Sequence, residues 1–365
     1  MSKLKNRLKI KNFIPQYIGK NPLHIKENKH HVTVYYKTSG HPKPITLKKE
    51  VLLDKYFFET IGLYYGDGIN TRKGTGNKQT GLANSCPELH KEWIKFLRML
   101  GINKSDLRAK IQIGEYNVID KNKLFEYWIK NTGLSIKNII PYISIKKKCK
   151  TKKHGLSVIT FNSKLFRLIF NKIFDYSLNL ISSNKEFAIY FIKGLFAAEG
   201  HVSKRKNGSL NYLQIPIKDN ERREYVESLF NKLNIRVKNR YERLDILGYL
   251  DYQLFKKFKL CILHPEKKTK FEEGFKSMTL SGKADGLTKL KIIKKLKKNK
   301  EMTRYQISKL INVVISGVHK SLRDLEIKRI IMRSKRSLSK NNRVLRDSWS
   351  LVEMPKDQYS LMKLD

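Results

Sequence analysis

Two stretches of the chain, "YFFETIGLYYGDG" at residues 56–68 and "EFAIYFIKGLFAAEG" at residues 186–200, most limit what it can fold into. Each is apolar almost all round, the mark of a helix buried on every side. Gly62 and Gly66 are four apart, as are Gly194 and Ala198. Small residues at that spacing open a flat stripe on which a second helix can approach closely. The two segments are therefore predicted to pack on each other. Asp67 and Glu199 sit in the last turns, followed by Gly68 and Gly200, where a C-terminal cap is expected. A carboxylate there faces the negative end of the helix dipole, at a cost of about 0.3–1 kcal/mol. Pairing the helices also brings two like charges together. A divalent cation beside them removes both penalties, so the acids are read as a metal site at a helix–helix seam.

The surroundings of the two acids repeat. From Asp67 to Ile102, the end of "LGI", is 35 residues; from Glu199 to Ile235, the end of "LNI", is 36. Between them lie two stretches with helical spacing: Trp93, Phe96, Leu97 and Leu100 in the first, Val226, Leu229, Phe230 and Leu233 in the second. An alternating strand follows each. In "LRAKIQI", Leu107, Ala109, Ile111 and Ile113 share one face and Arg108, Lys110 and Gln112 the other. In "IRVKNR", Ile235 and Val237 oppose Arg236, Lys238 and Arg240. Ahead of the helices, "NKQTGLAN" and "SLNYLQIPIK" also alternate, which places Tyr212, Gln214 and Lys218 on one face.

These polar faces belong to a chain of 365 residues with 77 Lys and Arg against 32 Asp and Glu, a net charge of +45. Such an excess calls for a polyanionic partner. It is not confined to a tail. Residues 285–365 hold 21 basic and 8 acidic residues, or +13, which leaves 45 − 13 = +32 for the rest. A long surface, or several modules, must face phosphate. Arg, Lys and Gln are also the side chains that read guanine and adenine edges in the major groove. No apolar run approaches the ~18 residues of a membrane-spanning helix. The opening "MSKLKNRLKIKN" lacks the apolar centre of a secretory leader. The expected place is the prokaryotic cytoplasm, nucleoid-associated when bound to DNA. Cys86, Cys149 and Cys261 are too scattered for a disulfide framework or a zinc knuckle.

With both nonapeptides on the page, Thr60 to Gly68 and Ile192 to Gly200, the chain resembles the LAGLIDADG homing endonucleases in their single-chain, two-motif form, over roughly residues 45–280. The resemblance implies an α+β fold of two αββαββα repeats about a pseudo-twofold axis, with a saddle of strands over double-stranded DNA. It implies a monomer and Mg²⁺- or Mn²⁺-dependent cleavage of both strands. The family's catalytic acid is the eighth position, which carries Asp67 and Glu199 over as catalytic and metal-binding residues, with Gly68 and Gly200 in the metal site. It also implies a lysine near the scissile phosphates. "ILHPEKKTKF" offers Lys267, Lys268 and Lys270, of which Lys268 is the expectation. The DNA-facing candidates are Arg108, Lys110 and Gln112 in one repeat and Tyr212, Gln214, Lys218, Arg236, Lys238 and Arg240 in the other. The motifs depart from the pattern at Thr60, at Lys193 in position two, and at Tyr65 and Ala197 in position six. Tyr64 and Tyr65 are expected to pack; Lys193 either loosens the seam or reaches backbone phosphate. A non-catalytic binder on the same scaffold, an intron RNA maturase or a transcription regulator, is the alternative, with intron RNA as its partner class. Retention of both acids favours the enzyme.

The expected domains are a basic lead-in at 1–50, repeats at 51–178 and 179–284, and a C-terminal module at 285–365. "ISIKKKCKTKKHG" reads as the connection between the repeats. In the module, Leu290, Ile293 and Leu296 have helical spacing, Thr303 and Gln306 form a capping box, and Ser316 is the expected N-cap of a helix with Val318, Leu322 and Leu325 inside. "IIMRSKR…DSWSLVE" then suggests a two-stranded wing. That pattern predicts a winged helix, with Ser316, His319, Lys320 and Arg323 facing the major groove.

Overall fold

The computed structural model describes residues 7–37, 44–69, 79–116, 120–147, 152–281, 287–327, 330–334 and 347–352. Cys149 lies outside these residues. Chain contacts define two units. One joins Met1–Lys204, Asn211–Ile246 and Leu254–Glu272; the other joins Arg205–Leu210, Leu247–Gln253 and Glu273–Asp365. No helix among the described residues is long and apolar enough to cross a membrane.

The first unit opens on strands. β1 (Arg7–Lys9) pairs with β6 (Glu50–Leu52). Between them, β2 (Tyr17–Ile18), β3 (Asn21–Glu27), β4 (His31–Tyr36) and β5 (Ile45–Lys48) make an antiparallel sheet in that order. Val32, Val34, Ile45 and Leu47 form its buried side. The basic lead-in is thus a folded sheet whose lysines stay on the alternate, wet positions.

The first repeat follows as α1 (Lys55–Asp67), β7 (Gln79–Asn84), α2 (Pro87–Met99), β8 (Leu107–Gly114), α3 (Lys121–Thr132), β9 (Ile139–Lys146), β10 (Leu156–Asn162) and α4 (Lys164–Ser183). The second is α5 (Lys185–Glu199), β11 (His201–Lys204), β12 (Leu210–Pro216), α6 (Asn220–Lys232), β13 (Val237–Arg240), β14 (Arg243–Ile246) and α7 (Tyr249–Lys257), with α8 (Pro265–Ser281) after it. The second repeat keeps the expected αββαββα order. The first departs from it: α3 and β9 are inserted between the strands β8 and β10, which pair with each other. The insertion holds because it has a core of its own, in which Leu124, Phe125, Trp128 and Ile139 pack on Ile111 and Ile113. Trp128 Nε1 also donates to the His154 carbonyl at 2.9 Å.

This insertion corrects one reading of the sequence. "ISIKKKCKTKKHG" does not connect the repeats; it begins inside β9 and ends just ahead of β10, within the first sheet. The repeats meet at Asn184. It ends α4, and its side chain caps α5 by accepting from the Glu186 and Phe187 amides. The expected boundary at 178/179 falls inside α4 for the same reason.

The two sheets run β7-β10-β8-β9 and β11-β12-β14-β13. Helices cover one face of each. Under the first sheet, Phe57, Tyr64, Trp93, Phe96 and Phe170 from α1, α2 and α4 meet ring to ring at centroid distances of 4.8–6.1 Å. Trp93 and Phe170 have no exposed surface; truncating either to Ala costs about 3–5 kcal/mol. The predicted helical faces of Trp93, Phe96, Leu97 and Leu100 and of Val226, Leu229, Phe230 and Leu233 are all buried.

At the centre, α1 and α5 touch backbone to backbone. A Cβ on Gly62 would strike the Phe191 carbonyl, and one on Gly194 would strike that of Glu59. A Cβ on Gly66 would lie 2.5 Å from the Ala198 Cβ. Glycine is needed here for close approach. Gly68 and Gly200 are also required for space, because both are extended, with φ of −63° and −60°, and their missing Cβ would meet the rings of Tyr64 and Phe196.

In the second unit, α9 (Leu287–Asn299), α10 (Arg304–Ile311) and α11 (Ile315–Ile327) pack on a sheet ordered β15-β17-β16, from β15 (Glu301–Thr303), β16 (Ile331–Arg333) and β17 (Ser348–Leu351). Ile292, Leu296, Ile307, Val318, Leu322 and Trp349 form its core. Thr303 and Gln306 form the capping box of α10. Ser316 is not an N-cap: α11 starts at Ile315, and Val318 N already bonds to the Val314 carbonyl. The segment 335–346, between β16 and β17, lies outside the described residues.

Candidate active site and nucleic-acid interface

Asp67 ends α1 and Glu199 ends α5, so the helix seam delivers both carboxylates to one place. Burial raises both. Asp67 stands at about 6, partly offset by the Asn84 amide, which donates to its Oδ2 at 2.5 Å. Glu199 stands at about 7 because of burial and then the charge of Asp67. Asn84 is itself fixed: its Oδ1 accepts from the Cys86 amide at 2.7 Å.

Two cations complete the centre. Lys267, in the first turn of α8, donates from Nζ to the carbonyls of Ala197 at 2.6 Å, Ala198 at 2.8 Å and Phe196 at 3.2 Å. The Ala197 and Ala198 carbonyls are orphan acceptors of the last turn of α5. Burial lowers its ammonium to about 8, against the pull of Asp67 and Glu199. On the other helix, Arg222 of α6 donates to the Tyr65 carbonyl, and its guanidinium lies 4.0 Å from the Tyr65 ring centroid. Tyr65 and Ala197 hold the same place in the two motifs. Each helix end therefore has its sixth-position carbonyl capped by a cation from elsewhere in the fold.

Among the three candidate lysines, Lys267 is the one that reaches the acids. Lys268 is one residue further round α8, where its charge acts on buried Cys261. Lys270 is 2.9 Å from Glu266, which Lys152 also holds at 2.6 Å. Lys193 neither opens the seam nor points to solvent. Its Nζ is 3.9 Å from Glu59 Oε1 across the helices, both side chains only 13% and 11% exposed. Tyr65 packs, as its ring against Phe191 and Phe174 requires.

The donor chemistry suits a hard divalent cation. Two carboxylates are oxygen ligands of the kind it takes, while the α5 carbonyls beside them are held by the Lys267 ammonium. Among the described residues no three His, Cys, Asp or Glu gather to hold a metal by themselves. Gly68 and Gly200 adjoin the acids and bond back to the Tyr64 and Phe196 carbonyls through their amides.

The expected interface residues fall on the sheet faces away from the helices. Along β8, Leu107, Ala109, Ile111 and Ile113 are buried while Arg108 is exposed and Lys110 and Gln112 are half-buried. Arg108 folds back, donating to the Leu107 carbonyl at 3.1 Å and the Ser105 carbonyl at 3.4 Å. In the second sheet, Tyr212 and Gln214 lie on the polar side of β12, with exposed Lys218 just beyond its end. Lys238 and Arg240 are exposed on β13, and Arg236 precedes that strand. In the second unit, Ser316, His319, Lys320 and Arg323 are all exposed along α11. Arg222 and Asn84 were not found from sequence. Their role exists only where separate elements meet, which no local pattern records.

Residues 186–249 match the family model described as the LAGLIDADG-like domain. The matched stretch covers α5 through β14, and the first repeat presents the same central helix, cross-strand pairing and terminal acid. No curated protein matches the chain. Three solved structures are similar at TM-scores of 0.31, too low to carry an argument about residues. They are the N-terminal LAGLIDADG domain of DUF199/WhiA, at 12% identity over 56% of this chain and 81% of that one, I-DmoI in complex with its target DNA and manganese, at 20% over 56% and 92%, and full-length DUF199/WhiA from Thermatoga maritima, at 13% over 74% and 89%. The chain itself has an α+β architecture, with two four-stranded sheets flanking the paired helices α1 and α5.

Proposed function

We propose that the protein binds double-stranded DNA through its two sheet faces and cuts both strands at one long site by divalent-metal-dependent hydrolysis. The observation that carries this reading is the seam itself: two half-buried acids at the ends of touching helices, beside helix-end carbonyls and two cations. A structural role does not account for charges placed where burial, mutual repulsion and both helix dipoles oppose them. When bound, Mg²⁺ or Mn²⁺ supplies Lewis acidity and a nucleophilic water for phosphodiester hydrolysis. Asp67 and Glu199 would hold the cation, and Asn84 fixes the orientation of the Asp67 carboxylate. Lys267 and Arg222 keep the last turns of α5 and α1 in place and add positive charge next to the phosphate that gains negative charge as the bond breaks. The second unit resembles a winged helix, and Ser316, His319, Lys320 and Arg323 of α11 suit DNA beyond the cleavage site.

Cleavage-site selection from a randomised duplex library, in Mg²⁺ and separately in Ca²⁺, tests this. The expected result is double-strand breaks at a defined sequence in Mg²⁺ with wild type, and selective binding without breaks for Asp67→Asn. Selective binding with no cutting by wild type in Mg²⁺ or Mn²⁺ would instead establish the non-catalytic binder.

A further inference from the structure

We infer that Asp245 sets base selectivity in one half-site by holding Arg240 and Arg243, an inference that rests on the DNA-binding reading above. β14 is an inner strand of the second sheet, and its register fixes the face that Asp245 takes. Asp245 stands opposite Gln214 of β12 and Lys238 of β13. It therefore belongs to the basic face, while Leu244 and Ile246 turn to the core. An acid on that face would be expected to lie open to water. Its side chain is only 6% exposed, because the two arginines lie over it, themselves 49% and 42% exposed. Arg240 Nε is 3.0 Å from Oδ2. Arg243 Nε is 3.5 Å from Oδ1, yet neither of those two atoms completes a hydrogen bond.

Stability does not explain this acid. A shielded carboxylate with one oxygen unsatisfied is a poor choice for a central strand, where an apolar or hydroxyl side chain would serve better. The arrangement does explain order. Contact through Nε leaves the terminal nitrogens of each guanidinium to donate outward, as a guanine edge requires. Two long side chains fixed in advance lose less freedom on binding. The buried negative charge also opposes a stray phosphate, so that sliding encounters are weakened relative to the correct base edge. Among the described residues no acid pairs with Arg108 on the other sheet, whose Nη1 donates to nearby backbone carbonyls.

Asp245→Asn removes the charge and keeps the shape. Selectivity and general affinity should then move in opposite directions. Preference at the few base positions read by Arg240 and Arg243 should fall about tenfold, within the range for removing one bidentate pair. Affinity for random duplex should hold or rise, with an unchanged or steeper salt dependence, because net positive charge has increased. Asp245→Glu should recover part of the preference, and Asp245→Leu should lose it while guarding against a folding defect in the Asn variant. The measurement is selection from a randomised duplex library with full-length wild type and each variant, alongside melting temperature and a salt titration on random DNA. If wild type selects a sequence and Asp245→Asn selects it equally well, the inference is overturned and the DNA reading stands. A parallel fall of melting temperature, random affinity and preference at all positions marks a structural residue and also overturns it. If wild type shows no sequence preference, the DNA reading fails and this inference with it.

Discussion

Set side by side, the sheets of the two repeats share a run of three strands, β7-β10-β8 and β12-β14-β13, and differ in the fourth strand and on the open face. In the first, the charge of β8 borders an uncharged strand, β10. Thr160, Val158 and Leu156 of β10 stand opposite Arg108, Lys110 and Gln112, and Gly81 and Ala83 of β7 continue that apolar track. The inserted β9 then adds Ser144 beside Gln112, and Tyr142, whose ring lies 5.7 Å from Lys110 Nζ. In the second sheet the polar face crosses three strands, from Gln214 through Arg243 and Asp245 to Lys238 and Arg240. Two faces this different would read two different half-sites, so the target is expected to be non-palindromic. The helix ends are the opposite case. There the two repeats reach the same result, a terminal acid and a capped sixth-position carbonyl, with different parts: Lys267 from α8 and Arg222 from α6.

The largest expected effect tests that equivalence. Asp67→Asn and Glu199→Gln should each lower double-strand cutting by on the order of 10²–10³-fold or more, the scale of removing one preorganised electrostatic group, with DNA affinity nearly intact. Lys267→Met and Arg222→Met should follow at roughly tenfold less. A supercoiled plasmid carrying the selected site separates nicking from cutting. Wild-type cutting by either acid variant would remove that acid from the chemistry.

Much of this plan was legible in the sequence. The all-apolar segments, their small-residue spacing and their terminal acids gave the seam, because backbone contact demands glycine and leaves a visible pattern. The alternation of "LRAKIQI" gave the faces of β8. What stayed hidden depends on long-range partners. Nothing local marks α3 and β9 as an insertion, since an inserted helix and strand carry the same periodicities as the helices and strands around them. Lys267 and Lys268 are adjacent and chemically identical, and only the direction of the first turn of α8 separates them. Lys193 looked misplaced because its partner, Glu59, is 134 positions away, 193 − 59.

That ion pair gives the next prediction. The seam is symmetric in its glycines and asymmetric in its charges: Lys193 lies against Glu59, whereas the equivalent place on the other side holds Ile61 and Phe191. Burial drives the two charges toward neutrality, raising Glu59 and lowering Lys193. Removing one partner, as in Glu59→Leu, should destabilise the protein by roughly 2–4 kcal/mol through the uncompensated lysine. Glu59→Leu with Lys193→Met should recover most of it. Denaturant melts of the four proteins form the cycle. Additive effects would show that the pair does not couple. The same pair favours α1 on α5 over two copies of either helix, so the wild type should sediment as a monomer.

The half-site comparison is sharpened by Arg108→Ala against Arg240→Ala. Each should relax preference by roughly 1–3 kcal/mol, in separate halves of the site. Arg240 should show the larger effect because Asp245 holds it ready. Equal weakening on every sequence would make either one a phosphate ligand. A chain ending near residue 282 contrasts the two units in the same way. It should keep the cutting position, with a shorter footprint and a salt slope shallower by about 0.9 for every phosphate it no longer neutralises. An unchanged footprint would leave the second unit without a place on DNA.

The smallest effect separates the two acids by pH. Their folded values, about 6 for Asp67 and about 7 for Glu199, lie above the unfolded ones of about 3.9 and 4.3. The folded state therefore binds these protons more tightly. Their contribution to stability is full below about pH 4 and is lost as pH rises through 6 and 7. In the absence of divalent ions, Asp67→Asn and Glu199→Gln should match wild type near pH 4 and gain on it by pH 7.5. Asp67→Asn should gain from a lower midpoint, because the Asn84 amide and Lys267 favour ionisation of Asp67 first, and Glu199 then loses its proton against that charge. Mg²⁺ needs both acids deprotonated, so its effect runs the other way and grows with pH. At ten times its dissociation constant it should stabilise wild type by about 1.4 kcal/mol, a shift of a few degrees in melting temperature, and leave the double variant unmoved. Melting curves at half-unit pH steps with and without Mg²⁺ measure both. A wild-type response to Mg²⁺ that is independent of pH between 5 and 8 would mean that the ion binds elsewhere. Identical midpoints for the two single variants would mean that the repeats bury their acids alike, and that the asymmetry of the molecule stops at its sheets.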